Sequence, residues 1–428
     1  MFYLFKILIK LNLINLTIFI IKNFLVKGRY NQKFKNKNIN ILFLTIEKFR
    51  SDFEMLSKNK SINLLFISEI WLNIFYKIFY GKGKMEKAVQ KAYLKNPPEF
   101  YKRKRNQYQS FLDKIFESLL KKYKLDFVVS ADVRYYSNID WGIAAEKKKI
   151  KWVIFHRENL FASKDMYEHV KKRHMQWEKF YGTKIIVHNN IAKKMFIESK
   201  FIPDPKTIKV LGCMRMDNLF NKTKDKKYNK RKNTITLFSF KSETVRWPRS
   251  VFNKTHQMVA LFAKENPNIE IVIKPKIEIT KKTDWYESFY KSTKEISIDV
   301  NSLPNLSILP NADPHELIMK SLFTIGIQSS VVLESAIVGI PVIIPHFKEI
   351  RTKQYKDTTY FKDYLDCFDT PCSSEELLKI MYLRLNQRKI SKNIQKRRVE
   401  IFENYMGKFD GSICKKYISE LNQIKINN

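Results

Sequence analysis

The chain has 428 residues, of which 44% are hydrophobic and 14% aromatic, so it is long enough to form two α/β domains with buried cores. Ten glycines and 13 prolines are too few for low-complexity linkers, which excludes a disordered or fibrous protein. The formal charge of +38 favours an anionic partner: a phosphorylated donor, an acidic lipid surface or nucleic acid.

The first 27 residues are apolar but are interrupted by Lys6, Lys10 and Lys22. The longest uncharged run, 11–21, is too short to span a bilayer core of about 30 Å, and no small-residue cleavage site follows it. We therefore expect residues 1–30 to form a basic apolar helix lying in the membrane interface, with its lysines toward anionic headgroups. The alternative is a core helix of the first domain.

Residues 38–220 alternate apolar, β-branched runs with helical patterns, and this alternation predicts a Rossmann-like domain with a parallel, doubly wound sheet. The predicted strands are 39–46, 62–68, 125–132, 150–159, 183–190 and 207–212.

Residues 221–233 are charged and lack apolar periodicity, which is typical of a linker. The alternating pattern then resumes and predicts a second Rossmann-like domain over 234–390, and basic helices over 391–428 that can return to the first domain. The expected fold is α/β, with two Rossmann-like domains that face a cleft.

The four cysteines show no C-x-x-C spacing, which favours a reduced, cytoplasmic setting. The seven histidines form no H-E-x-x-H motif, and there is no D-x-D. We therefore expect no obligatory metal and no cofactor.

Ligands of open α/β sheets bind beyond the carboxyl ends of the strands, so the residues that follow each predicted strand are the candidates. In the second half, Ser329 and Ser330 open a helix, whose N-terminus suits a phosphate group. Glu334, one turn later, could meet a ribose hydroxyl. The other predicted donor-binding residues are Lys241, Lys274, His315 and Gln328. The alternative for the serine pair is an ordinary helix cap, and the alternative for each lysine is a solvated surface charge.

In the first half, Glu158 is the first candidate for a general base on an acceptor hydroxyl, and Asp132 is the second. Either carboxylate could instead form a structural salt bridge. The predicted acceptor-side residues are Arg134, His156, Arg157 and Arg215. There is no G-x-S-x-G, P-loop or G-x-G-x-x-G motif, which argues against hydrolases, P-loop kinases and common NAD dehydrogenases.

Two passages, HNNIAKKMFIESKFIPDPKTIKVLGCMRMDNL and IQSSVVLESAIVGIPVI, resemble GT-B glycosyltransferases of bacterial surface-polysaccharide biosynthesis. The resemblance implies metal-independent sugar transfer, with the serine pair on the donor phosphate and Glu334 near the nucleoside. Two features depart from the family: LTIEKFR has no glycine-rich turn, and Lys276 stands where a histidine is usual.

The main hypothesis is a transferase that moves a sugar from a nucleotide-sugar donor to a glycan or lipid-linked acceptor, peripheral on the inner face of the plasma membrane. A CDP-glycerol-type glycerophosphotransferase and a nucleotide-sugar 2-epimerase are the enzymatic alternatives. A membrane-bound polyanion-binding protein is the non-enzymatic one. We expect no nucleic-acid partner, because no stacking-aromatic motif accompanies the charge.

Overall fold

The computed structural model describes residues 2–11, 13–30, 38–81, 91–228, 233–276, 280 and 284–426. Contacts divide the chain into two units. The first consists of Met1–Asn159, His169–Asn218 and Asp410–Asn428, and the second of Leu160–Glu168 and Leu219–Phe409. Each unit is built around one β-sheet.

The sheet of the first unit has seven strands in the order β1-β3-β2-β4-β5-β6-β7. Strand β1 pairs antiparallel with β3, and the other pairs are parallel. The strands are β1 (Lys27–Arg29), β2 (Ile39–Leu44), β3 (Ile62–Ile67), β4 (Phe127–Ser130), β5 (Lys151–Phe155), β6 (Lys184–Val187) and β7 (Ile208–Val210). The doubly wound sheet predicted from the sequence is therefore present, with one additional antiparallel edge strand.

Strand β2 is an example of an apolar run that forms a strand inside the sheet. All six of its residues, INILFL, are buried, as expected of a parallel strand covered on both faces. The covering helices of this unit are α3 (Ile46–Ser57), α4 (Glu69–Tyr80), α5 (Glu99–Lys122), α6 (Tyr136–Lys147), α8 (Asn190–Glu198) and α16 (Ile413–Ile426). Helix α16 contributes Ile413, Tyr417 and Leu421 to the core that contains β2.

The N-terminal segment, predicted as one helix, contains α1 (Phe2–Lys10), α2 (Ile14–Ile20) and a π-helix over Ile21–Leu25. Phe5 packs against Trp71 and Phe75 of α4, with ring centroids 6.1 and 5.2 Å apart. No helix in the described part of the chain is long and apolar enough to cross a membrane.

The second unit has five parallel strands in the order β10-β9-β8-β11-β12. They are β8 (Thr234–Phe238), β9 (Glu270–Ile273), β10 (Leu306–Ile308), β11 (Ser321–Gly326) and β12 (Val342–Ile343). Its helices are α10 (Arg249–Glu265), α11 (Trp285–Lys294), α12 (Pro314–Lys320), α13 (Ser330–Ile337), α14 (Ser374–Asn386) and α15 (Lys392–Met406).

Two helices contain the points at which the chain passes from one unit to the other. Helix α7 (Lys164–Met175) begins in the second set of residues and ends in the first, and α9 (Met216–Lys224) runs into the predicted linker. A short 3-10 helix (Lys226–Tyr228) follows, so most of 221–228 is helical. The side chain of Tyr228 is buried. Residues 229–232 lie outside the described residues.

Candidate active site

The carboxyl edge of the second sheet collects most of the predicted donor-binding residues. Strand β8 pairs in parallel with β9 on one side and with β11 on the other, so the carboxyl ends of the three strands lie at the same edge. Lys241 follows β8, Lys274 follows β9 and Ser329 follows β11. The sheet topology therefore brings these residues of three distant sequence segments to the same edge.

Ser329 stands at the N-cap of α13, as predicted. Its backbone is extended, with φ −140° and ψ 154°, yet within the described chain its side chain makes no capping hydrogen bond. Ser373, at the N-cap of α14, does accept a hydrogen bond from the backbone N–H of Glu376. Ser329 therefore does not act as an ordinary side-chain cap, and the first turn of this helix keeps the positive partial charge that attracts anions.

Gln328 connects β11 to this helix in an unusual conformation. Its φ is 46°, in the left-handed region that non-glycine residues seldom adopt. Its Nε2 donates to the carbonyl oxygen of Thr358 at 3.0 Å. Its Oε1 is buried and has no hydrogen-bond partner among the described residues. Strained residues of this kind concentrate at binding sites, and the acceptor atom Oε1 is available for a ligand donor.

His315 and Glu334 form a buried pair beside the same helix. Nε2 of His315 lies 3.3 Å from Oε2 of Glu334, and the two residues are 4% and 2% exposed. The carboxylate predicted to meet a ribose hydroxyl is therefore in contact with the histidine that was predicted separately as a donor-side residue.

The two predicted lysines differ in their surroundings. The ammonium group of Lys274 donates to the carbonyl oxygen of Pro310 at 2.9 Å, whereas the side chain of Lys241 is exposed. The loop after β8 also contains Arg246, which the sequence interpretation missed. Its guanidinium lies 5.6 Å from the ring centre of Tyr360. Its Nε is buried without a hydrogen-bond partner in the described residues.

At the carboxyl edge of the first sheet, Asp132 follows β4 and His156 follows β5. Oδ1 of Asp132 accepts the backbone N–H of Arg134 at 2.7 Å and lies 3.5 Å from its Nε. Oδ2 faces Nδ1 of His156 at 3.8 Å. Burial by itself would raise the pKa of Asp132, but Arg134 and His156 outweigh it and hold that pKa below its ordinary value. Asp132 is thus a stable buried carboxylate and a weak base.

Glu158 has a different environment, because its side chain is exposed. Its Oε1 accepts a hydrogen bond from the hydroxyl of Tyr135 at 3.2 Å. Burial and the nearby Glu158 carboxylate raise the pKa of Tyr135, so this hydroxyl stays protonated and can keep donating. Of the two predicted bases, Glu158 is exposed to solvent and Asp132 is 1% exposed.

Asp52, on α3, is a further residue of this edge that sequence reasoning missed. Its Oδ2 lies 3.7 Å from Nε of Arg157. Burial raises the pKa of Asp52, while Arg157 and Arg215 act in the opposite direction. The two predicted acceptor-side arginines therefore both lie near one carboxylate. Asp52 lies eight residues beyond the end of β2, too far along α3 for a rule that selects residues directly after strands.

Thr45 occupies the turn after β2, within the segment LTIEKFR that has no glycine-rich turn. Its φ is 60° and ψ 59°, a left-handed conformation that is rare for a β-branched residue. Its hydroxyl lies 3.4 Å from Oδ1 of Asn138. The chain therefore makes the tight turn with a threonine in the conformation that glycine normally supplies.

No protein-family model and no curated protein matches this sequence. Solved structures do match in fold. A UDP-N-acetylglucosamine 2-epimerase is 14% identical with a TM-score of 0.52 and covers 90% of this chain and 95% of its own. A putative UDP-N-acetylglucosamine 2-epimerase from Listeria monocytogenes is 12% identical with a TM-score of 0.51, covering 91% and 98%. The 2-epimerase from Neisseria meningitidis bound to UDP-GlcNAc is 12% identical with a TM-score of 0.50, covering 90% and 100%. At these identities the likeness shows the fold alone: two Rossmann-like domains of the GT-B type.

Proposed function

We propose that the protein is a glycosyltransferase that moves a sugar from a nucleotide-sugar donor to a glycan or lipid-linked acceptor of surface-polysaccharide synthesis. The observation that carries the proposal is the helix start at Ser329 and Ser330. It follows β11, which pairs with β8 and β12, and the Ser329 hydroxyl is not used as a cap. A helix N-terminus with adjacent hydroxyls binds phosphate groups through backbone N–H donors and the helix dipole.

Three cations at the same edge support a diphosphate as the ligand. Lys241, Lys274 and Arg246 follow β8 or β9, and the guanidinium of Arg246 still has a buried donor without a partner in the described residues. Arginine and lysine offset the charge that develops on a departing nucleotide phosphate. The proposed reaction therefore requires no metal ion and no cofactor from the protein.

The donor's nucleoside is assigned to Gln328, His315 and Glu334. Oε1 of Gln328 is an acceptor without a partner in the described chain, and Glu334 can accept from a ribose hydroxyl if that hydroxyl replaces or joins His315. In the first unit, Glu158 takes the proton of the acceptor hydroxyl. Asp132 remains an anion that orients Arg134 and His156.

Nucleotide-sugar 2-epimerisation is the second candidate, because the structural neighbours described above are 2-epimerases. A CDP-glycerol-type glycerophosphotransferase would use the same phosphate site with a different donor. The products separate the three. A glycosyltransferase releases nucleotide only when acceptor is present, a 2-epimerase interconverts two nucleotide sugars without acceptor, and a glycerophosphotransferase releases CMP.

We further propose a peripheral location on the inner face of the plasma membrane. Residues 1–46 contain seven lysines, one arginine and no aspartate or glutamate. Such a segment is attracted to anionic lipids, by about 1 kcal/mol per basic residue close to the surface.

The test is a thermal-shift screen with UDP, CDP, GDP, dTDP, CMP and NAD. A ligand at 100 times its Kd stabilises the folded protein by about 2.7 kcal/mol, and we expect one nucleotide to do so. The double variant Ser329→Ala/Ser330→Ala should lose that response. The single variant Ser329→Ala should keep its ligand-free melting temperature, because Ser329 makes no cap bond.

The matched control is Ser373→Ala/Ser374→Ala, which removes a serine pair that does cap a helix. It should lower the ligand-free stability by about 1 kcal/mol and leave the nucleotide response unchanged. If no nucleotide stabilises the wild type, or if the Ser329/Ser330 variant still responds fully, the proposed donor site is wrong.

A further inference from the structure

The N-terminal helices expose a row of large apolar side chains, which we call the apolar face. Its six most exposed members are between 48% and 67% accessible: Tyr3, Ile7, Leu11, Leu16, Phe19 and Phe24. Exposed apolar groups are ordinary when they are scattered singly, but a contiguous group is typical of a surface that contacts another molecule or a membrane.

The opposite side of these helices is anchored in the first unit. Phe5 and Ile21 are 0% exposed, Leu25 is 4% exposed and Leu8 is 6% exposed. This buried side agrees with the core-helix alternative, and the interfacial helix stays a prediction. Because the buried side fixes the helices to the folded unit, the apolar face is a surface of that unit and not a loose tail.

Helix α4 packs against the buried side of these helices. Phe5 contacts Trp71 in its first turn, and Ile70 in the same turn is 65% exposed. Helix α4 begins directly after β3, with Ser68 as its N-cap, so Ile70 lies at the carboxyl edge of the first sheet. This is the edge that carries Glu158 and Asp132.

The charge around the apolar face identifies its partner. Lys10, Lys27 and Arg29 are exposed, and the first acidic residue of the chain is Glu47. A protein partner would explain the apolar side chains, but it would not by itself explain the basic residues around them. A bilayer with anionic headgroups supplies both, since its acyl chains accept the apolar side chains and its phosphates attract the lysines.

We infer that the apolar face docks in the plane of an anionic bilayer as a fixed monotopic surface. The helices lie on the membrane and do not cross it, and the carboxyl edge of the first sheet is held close to the headgroups. This docking rests on the peripheral location proposed above, and it does not depend on the transferase activity. If that activity is correct, the arrangement favours the lipid-linked acceptor over a free glycan.

The test is co-sedimentation of the full chain with vesicles of phosphatidylcholine alone or with 30% phosphatidylglycerol, roughly the anionic content to which basic interfacial segments respond. We expect binding to the anionic vesicles. The variant Ile7→Ser/Leu16→Ser/Phe19→Ser should bind at least about tenfold more weakly, because it loses three inserted apolar side chains. Its melting temperature and circular dichroism should be unchanged, since the three side chains are exposed.

The matched control is Val245→Ser, at an apolar side chain that is 85% exposed in the second unit, and it should bind like the wild type. Lys10→Glu/Lys27→Glu should lose binding to the anionic vesicles. The proposal is overturned if the wild type fails to bind anionic vesicles, or if the triple variant binds them as the wild type does. It is also overturned if the wild type is a dimer by sedimentation velocity and the triple variant a monomer, because the apolar face then joins two copies of the chain.

Discussion

Oε2 of Glu334 lies 3.3 Å from Nε2 of His315, and these two nearly inaccessible side chains couple helix α13 to helix α12. The pair has two separable properties: it places a carboxylate on the helix that begins at Ser330, and it gives that carboxylate an imidazole partner. The first concerns ligand binding and the second concerns folding.

Replacing His315 with Ala should destabilise the protein by about 3 kcal/mol, because Glu334 then loses a buried partner. Urea unfolding at pH 7 measures the change. The control is His169→Ala, whose side chain is exposed, and it should fall within about 0.5 kcal/mol of the wild type. Equal stabilities for the two variants would show that the pair contributes nothing to folding.

Glu334→Gln keeps the size of the side chain and removes its charge. If Glu334 accepts from a ribose hydroxyl, this variant should fold normally and bind the stabilising nucleotide more weakly, by about tenfold for the loss of a charged hydrogen bond. Isothermal titration with the nucleotide identified in the thermal-shift screen measures the affinity. Unchanged affinity would remove Glu334 from the donor site.

Glu158→Gln should lower turnover by a factor of about 10² to 10⁴, the usual effect of losing a general base, with nucleotide binding unaffected. Asp132→Asn should lower both turnover and stability, because Arg134 and His156 lose the carboxylate between them. Release of nucleotide in the presence of acceptor measures turnover. A Glu158→Gln variant with full activity would assign the base elsewhere, and Glu99→Gln, at an exposed position, controls for a loss of surface charge.

Asp140 predicts a distinctive pH dependence of stability. It lies within a buried group of polar side chains, where it accepts from the hydroxyl of Tyr93 at 2.6 Å and from Nε2 of Gln109 at 3.3 Å. Burial raises the pKa of Asp140 to about 6, from an ordinary value of 3.8. Between these values the folded protein holds a proton that the unfolded chain has released, so stability falls as the pH rises through this range.

The difference corresponds to about 3 kcal/mol, at 1.36 kcal/mol for each pH unit. The free energy of unfolding of the wild type should therefore decrease relative to Asp140→Asn between pH 4 and pH 7, because asparagine does not titrate. Parallel urea titrations across this range measure the difference. Two curves that stay parallel would mean that Asp140 titrates alike in the folded and unfolded chains.

Gly142, on α6, should not tolerate a larger side chain. A Cβ built there would lie 2.1 Å from ring atoms of Trp152, and this indole is held by a 2.9 Å hydrogen bond from its Nε1 to the hydroxyl of Ser130. Gly142→Ala should destabilise the protein by about 3 kcal/mol, the range expected for overpacking a core.

Gly326→Ala is the matched control for stability. There the nearest atom to the new Cβ would be 3.7 Å away, which is ordinary contact. Thermal and urea unfolding compare the two. If Gly142→Ala is as stable as Gly326→Ala, the helix can move away from Trp152 at little cost.

The amino-acid sequence determined the fold class, because local patterns carry that information. Fully buried parallel strands require continuous apolar runs, so β2 and β11 could be recognised directly. The serine pair between β11 and Gly339 could likewise be placed at a helix start. In contrast, β1 has no such pattern: its residues, KGR, are all exposed, and it is a strand only because it pairs with β3. Its existence depends on tertiary contact.

The candidate site shows the same division. The rule that ligands bind beyond strand ends selected Ser329, Glu158 and Asp132 from the sequence. It could not select Asp52 or Arg246, which lie several residues beyond their strands and reach the sheet edge only through the path of a helix or loop.

Which residues are partners was decided by the tertiary structure alone. The contact between His315 and Glu334 and the two-sided character of the N-terminal helices depend on side-chain burial and on distances between separate segments of the chain. The contact of Asp132 with Arg134 was one of the two alternatives that the sequence left open. Sequence periodicity reports which face of an element is apolar. Only packing decides whether that face is covered, and therefore which charges are paired and which apolar side chains remain exposed.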